Sequence, residues 1–186
     1  MTLRLNGSTS GYVEIDAPAT AGSNTLVLPT GNGTSGQVLS TNGSGALSWV
    51  QGGRILQVVM GTTVTRATIT SATFTNSNLS VTITPASASN SILLYVTESI
   101  YVEAAAGAGY MDIARGTTNL SGQSNGFVSC SSNTDKFFPA AIVYLDSPNT
   151  TSATTYTLRG RRSSASGSVL LGDNNKGVII AMEVAA

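Results

Sequence analysis

The stretch Val178-Ile-Ile-Ala-Met-Glu-Val184 decides the fold, because it is the most apolar run of the chain. A short, near-continuous run of β-branched and apolar residues predicts a strand that is covered on both faces. One face of such a strand packs inside its own domain, so the other face needs a surface outside it, most simply another copy of the chain. We therefore expect Val178, Ile180, Met182 and Val184 to form an inter-subunit strand.

Residues 54–186 contain further predicted strands before this run. Ser91–Val102 is long and apolar, and Leu79–Thr84 alternates apolar with polar residues, which is typical of a sheet with one wet face. Strands are also expected over Arg54–Met60 and Thr62–Thr70. No window has a helical period with caps, so the pattern predicts an all-β domain. About eight strands with turn residues between them are typical of an antiparallel β-sandwich knob, jelly-roll-like in form.

Residues 1–53 differ from the rest, because their apolar clusters hold only three or four residues each and are separated by turns such as Asn32-Gly33 and Asn42-Gly43. Strands this short cannot enclose a core within one chain. We expect a β-structured fibre or attachment segment that becomes ordered against other copies or a docking surface. Its candidate contact residues are Tyr12, Ile15, Leu26, Leu28, Val38, Leu47 and Trp49.

Composition excludes several function classes. The chain has no His and one Cys, Cys130, so the usual general base, a thiolate zinc site and an internal disulfide are all missing. Nine basic residues balance nine acidic ones, which leaves no net field for nucleic acid. No apolar run reaches the roughly 18 residues that span a bilayer, so membrane insertion is not expected. We expect no enzyme, no cofactor and no metal.

Three motifs have a chemical interpretation and a simpler one. Gly31-Asn-Gly-Thr-Ser-Gly36 has the glycine spacing of a dinucleotide loop, but a short strand follows it rather than a helix, so we interpret it as a turn. Arg159-Gly-Arg-Arg162 could hold an anionic glycan, but alternation sends neighbouring side chains to opposite faces. Asp173-Asn-Asn175 offers fewer oxygens than the six to eight of a calcium site.

A glycan-cleaving enzyme would need two carboxylates about 5–9 Å apart. Glu98 with Asp112, or Glu103 with Asp112, could approach each other across neighbouring strands. This leaves a polysaccharide-binding hydrolase as a less favoured alternative.

The first fifty residues contain a further pattern. It runs through Ala17-Pro18, Asn24-Thr-Leu-Val-Leu-Pro29, Gly36-Gln-Val-Leu39 and Asn42-Gly-Ser-Gly-Ala-Leu-Ser-Trp49. Over residues 7–49 the chain resembles a module of tail fibres and related virion proteins of marine bacteriophages and cyanophages. Residues 54–186 resemble, more loosely, the β-sandwich knobs that follow such modules.

The resemblance implies a non-enzymatic virion protein that is assembled in the host bacterial cytoplasm. Proteins of this family are typically homotrimers that serve in adhesion or as structural parts. It implies a short tail fibre that contacts other virion proteins and host surface glycans. The single copy of the module leaves a second role open, that of a capsid decoration protein or head fibre that stabilises the shell.

Overall fold

The computed structural model describes residues 3–163, 166–172 and 175–186. The chain divides into two compact units, Met1–Gly52 and Gly53–Ala186. The prediction of an all-β fold is confirmed, since the only helical segment of the described residues is a single 3-10 turn at Ala104–Ala106. In chain order the strands are β1 (Leu3–Asn6), β2 (Tyr12–Ile15), β3 (Gln37–Thr41), β4 (Leu47–Gln51), β5 (Ile55–Thr63), β6 (Ala67–Ile69), β7 (Thr75–Ile83), β8 (Ser91–Val102), β9 (Ala108–Arg115), β10 (Thr118–Asn119), β11 (Val128–Ser131), β12 (Lys136–Asp146), β13 (Thr154–Arg162), β14 (Val169–Leu171) and β15 (Gly177–Val184).

The first unit, Met1–Gly52, consists of two small antiparallel pairs. Strand β1 pairs with β2, and β3 pairs with β4. The apolar cluster at residues 25–28 forms no strand, and only Val27 makes an isolated bridge, to Ala46. The indole of Trp49 lies over Gly33, where a Cβ would come within 2.7 Å of the ring, and its N–H donates to the Gly31 carbonyl at 2.7 Å. Trp49 therefore packs against the glycine-rich turn of residues 31–36.

In the second unit, one sheet, which we call the first sheet, contains six strands. Strand β8 pairs with β12 along one edge, and with β15 and then β14 along the other. Strands β5 and β6 lie outside β15 and β14, respectively. The prediction of one long strand over residues 62–70 is therefore wrong in detail. In the structure β5 continues to Thr63, and the separate strand β6 is as short as its three-residue partner β14.

The second sheet contains five strands, with β13 between β7 and β9. Strands β10 and β11 pair with opposite ends of the outer edge of β9. All pairings in both sheets are antiparallel.

The two sheets share one hydrophobic core, which makes the second unit a β-sandwich. Alternate residues of β8 are buried, from Ile92 to Val102, and they cluster with Leu79 of β7, Met111 of β9 and Ile179 of β15. This alternation means that each strand sends every second side chain outward. The functional question is therefore what the two outward faces present.

Candidate assembly surface

The outward side of the first sheet is apolar across four strands. The registers of β12, β8, β15 and β5 align its side chains in rows. We define the apolar face by three such rows: Leu145, Leu93, Met182 and Val58; Val143, Tyr95, Ile180 and Met60; and Ala141, Thr97, Val178 and Thr62. None of these twelve residues is charged.

Several side chains of the apolar face are open to water in the single chain. Val58, Met60 and Val143 are 60%, 61% and 63% exposed, and Leu145 is 55% exposed. Scattered exposed hydrophobics are ordinary on protein surfaces, but a contiguous apolar patch on this scale marks an interaction site.

The predicted inter-subunit strand belongs to this surface. Val178, Ile180 and Met182 lie on the apolar face, and Val184 continues it; all four are half-buried. Between them, Ile179, Ala181 and Glu183 are buried in the sandwich. The sequence prediction missed the contributions of β5 and β12. Alternation at Val58 and Met60, and at Val143 and Leu145, was the available signal.

The outward side of the second sheet is polar. We define the polar face by the outward residues of β7 and β13: Asn76, Asn78, Ser80, Thr82, Thr155, Thr157, Arg159 and Arg161. Thr82 and Thr155 are cross-strand partners whose hydroxyl oxygens lie 2.8 Å apart. Such a surface is fully compatible with water, so it needs no partner.

The arginine cluster of β13 is engaged within the chain. Arg159 donates to the Phe74 carbonyl at 2.8 Å and to the Asn119 side-chain oxygen at 2.7 Å. Arg161 donates to the Ser124 carbonyl at 2.9 Å and lies 3.9 Å from the centre of the Tyr110 ring. These guanidinium groups fasten loops to the second sheet.

The first unit has almost no interior of its own. None of residues 3–52 is buried. Of the predicted attachment residues, Leu47 and Trp49 are half-buried, and the others are exposed: Tyr12, Ile15, Leu26, Leu28 and Val38. Leu28 and Ile15 reach 70% and 67% exposure. Such exposure of branched apolar side chains is the second feature of the molecule that favours association.

A cleft of about 540 Å³ lies beside the apolar face, lined by β8, β12 and the residues before β15. Glu98 lies between the strand partners of β8, since β15 pairs as far as Thr97 and β14 resumes at Ile100. Its side chain is 6% exposed, and among the described residues its carboxylate accepts one hydrogen bond, from the Ser99 N–H at 2.9 Å. Burial raises the pKa of Glu98 above its ordinary value, against the lowering effect of that bond.

Close packing surrounds the Glu98 carboxylate. A Cβ on Gly177, its neighbour on β15, would come within 2.1 Å of the Glu98 Oε2, so a side chain there would displace the carboxylate. The hydroxyl of Ser99 is buried and has no partner within the described part of the chain. The cleft therefore contains a buried carboxylate.

The second buried glutamate of the first sheet is well satisfied. Glu183 is fully buried and accepts hydrogen bonds from Gln57 at 2.6 Å, Asn90 at 2.7 Å and the Ala86 N–H at 2.7 Å. Desolvation is the largest single influence and would raise the pKa of Glu183. The hydrogen bonds together outweigh it and lower that pKa. This carboxylate ties β15 and β5 to the loop that precedes β8.

The carboxylate pairs considered for glycan cleavage do not face one cleft. Glu98 belongs to the first sheet, whereas Asp112 lies on the outward side of β9 in the second sheet. Asp112 accepts hydrogen bonds from the Ser121 hydroxyl and N–H at 2.5 and 3.2 Å. Glu103 accepts one from the Ser168 N–H at 2.7 Å. Both Asp112 and Glu103 therefore hold loops in place.

Within residues 3–163, 166–172 and 175–186, no group of three or more His, Cys, Asp or Glu residues is placed to hold a metal ion. Two of the three residues of the oxygen-rich loop at 173–175, Asp173 and Asn174, lie outside the described residues. No helix in the described part of the chain is long and apolar enough to cross a membrane.

Comparisons with known proteins add no further assignment: no family model and no curated protein sequence matches the chain.

Proposed function

We propose that this protein is a non-enzymatic structural component of a phage virion that works as a homotrimer. The observation that carries the proposal is the first unit, in which none of residues 3–52 is buried although Leu26, Leu28 and Ile15 are strongly exposed. A lone chain gains little hydrophobic stabilisation from such a segment, whereas neighbouring copies can bury its side chains. Trimeric assembly follows from the resemblance of residues 7–49 to phage fibre modules.

Within the virion, we propose the role of a short tail fibre or adhesion protein. The first unit would attach to other virion proteins and to its own copies, and the second unit would form the knob. The polar loops of the sandwich would contact host surface glycans. We propose a jelly-roll form for this knob as well.

Labelling of intact particles tests the location. Gold-labelled antibodies against the second unit are expected to bind the tail of phage particles that carry this chain. Labelling of the head instead would favour the alternative role, a decoration protein that stabilises the capsid. Particles without label would contradict both virion roles.

Incubation with purified host lipopolysaccharide tests the absence of enzymatic activity. We expect no release of oligosaccharides, because Glu98 and Asp112 belong to different sheets. Released oligosaccharides that disappear in Glu98→Gln would favour the polysaccharide hydrolase.

A further inference from the structure

We propose that the apolar face of the first sheet is the surface through which the knobs meet, so that in the assembled protein it is covered by the same face of other copies. The inference rests on the proposed function for the number of copies. The inference also identifies the surface that is buried between copies, and it does not depend on the place of the protein in the virion.

The size of the apolar face fits an interface. With strands about 4.8 Å apart and side-chain rows about 6.8 Å apart, its three rows cover roughly 400 Å². Exposed Ile55 with half-buried Val184 at one end, and exposed Phe137 with Pro139 at the other, extend it along the strands. The extended surface, roughly 500 Å², supplies more than half of the ~800 Å² that each partner buries in a standard interface.

The absence of charged residues on the apolar face indicates what kind of surface covers it. Its only polar members are Thr62 and Thr97. A charged partner would lose hydration here without gaining an opposite charge, which makes its burial unfavourable. Another copy of the same face involves no such loss, since it is equally uncharged. A second copy of the chain is therefore the occupant that this surface fits.

The polar face shows that the sequence can make a solvated sheet surface. Ser80 and Thr155 occupy outward strand positions of the second sheet, equivalent in the alternation to those of Met60 and Val143 in the first. Apolar residues at the latter positions are thus a property of one sheet and are not imposed by the β-fold.

The order of strands places Tyr95 and Ile180 at the middle of the apolar face. They are cross-strand neighbours on β8 and β15, with β12 and β5 on either side. When three such faces surround a common axis, the middle strands lie nearest to the axis and the outer strands contact the two neighbours. Tyr95, Ile180 and Met60 are then covered in every copy.

Methionine oxidation in the intact wild-type chain tests the proposal directly. Met60 and Met182 belong to the apolar face, and Met111 is fully buried in the core, where it reports that the fold is intact. Hydrogen peroxide is added at a protein concentration at which sedimentation shows the oligomer, and each methionine is followed by peptide mass spectrometry. We expect Met60 to be oxidised at least tenfold more slowly than in the urea-unfolded chain.

A charge in the middle of the apolar face should remove this protection. In Ile180→Glu we expect Met60 to become oxidised at close to its unfolded rate while Met111 stays protected. Ser80→Glu, on the polar face, is the matched control and should leave Met60 protected. Rapid oxidation of Met111 in Ile180→Glu would show unfolding, and the wild-type measurement then decides alone.

The failures of the two proposals are distinguishable. An oligomer in which wild-type Met60 is oxidised at its unfolded rate would overturn the proposed interface and leave the trimeric virion protein standing. A folded monomer with the same exposed Met60 would contradict both.

Discussion

The two outward faces of the sandwich have the same backbone geometry and opposite chemistry. On the first sheet the outward positions are occupied by residues such as Val58, Met60 and Val143, and on the second by residues such as Ser80 and Thr155. Both sheets send their other side chains into one core. The comparison shows that the fold alone needs one apolar face per sheet, so the second apolar face of the first sheet is the surface that we propose for association.

The largest expected effect comes from adding charge to the apolar face. The double substitution Met60→Lys with Val143→Lys should weaken association at least 100-fold, about 2.7 kcal/mol, because four or more lysines would have to be desolvated between copies. Sedimentation velocity over a range of protein concentrations measures this. Ser80→Lys with Thr155→Lys is the matched control on the polar face, and equal dissociation of both variants would show that the two faces do not differ.

The next largest effect is expected on stability, at the buried Glu183 carboxylate of the first sheet. Glu183→Gln should destabilise the second unit by roughly 1–3 kcal/mol, because the amide replaces a carboxylate oxygen that accepts the Gln57 bond with a donor. The lowered pKa means that the stabilisation by Glu183 is present above about pH 4.5 and is lost as the pH falls towards that lowered pKa.

Urea unfolding between pH 3 and pH 7 measures the effect of Glu183→Gln. The difference from the wild type should shrink in acid. A variant as stable as the wild type at pH 7 would show that the three hydrogen bonds to Glu183 contribute nothing net.

Glu98→Gln should act in the opposite direction. At pH 7 we expect it to stabilise the protein by roughly 1 kcal/mol, because a neutral amide costs less to bury than an ionised carboxylate. The raised pKa of Glu98 means that the wild type loses stability as the pH rises from about 4.5 through the folded-state pKa.

The same urea titration, applied to Glu98→Gln, should therefore show a gain at pH 7 that vanishes near pH 4. Destabilisation of the variant at pH 7 would mean that the Glu98 carboxylate has a stabilising partner.

The smallest effect is expected on the polar face. Thr155→Val removes one exposed hydroxyl contact, to Thr82, and adds a residue with good strand propensity. We expect a change below about 0.5 kcal/mol in stability and an unchanged sedimenting mass. A shift to larger assemblies would show that a single apolar residue is enough to make this face associate.

Much of the fold could be predicted from alternation and turns. Ser91–Val102 was predicted with the bounds that the structure gives β8, and the run Val178–Val184 differs from β15 by one residue. The break between β5 and β6 could not be predicted, because it depends on the partner strands β15 and β14. Local sequence does not specify which distant strand lies alongside.

The candidate surface was predicted only in part for the same reason. The run from Val178 to Val184 predicted by itself that β15 is covered on both sides. Val58 and Val143 join it through strand register, which is a property of the whole sheet. The burial of the Glu98 carboxylate likewise arises where two partner strands meet, and its sequence neighbours give no sign of it.

The mass of the intact protein in dilute solution tests most directly whether this chain works as an assembly. Sedimentation equilibrium at micromolar concentration should give three times the 18.9 kDa of a single chain. A stable 18.9 kDa species with residues 3–52 ordered and protected from hydrogen exchange would contradict it.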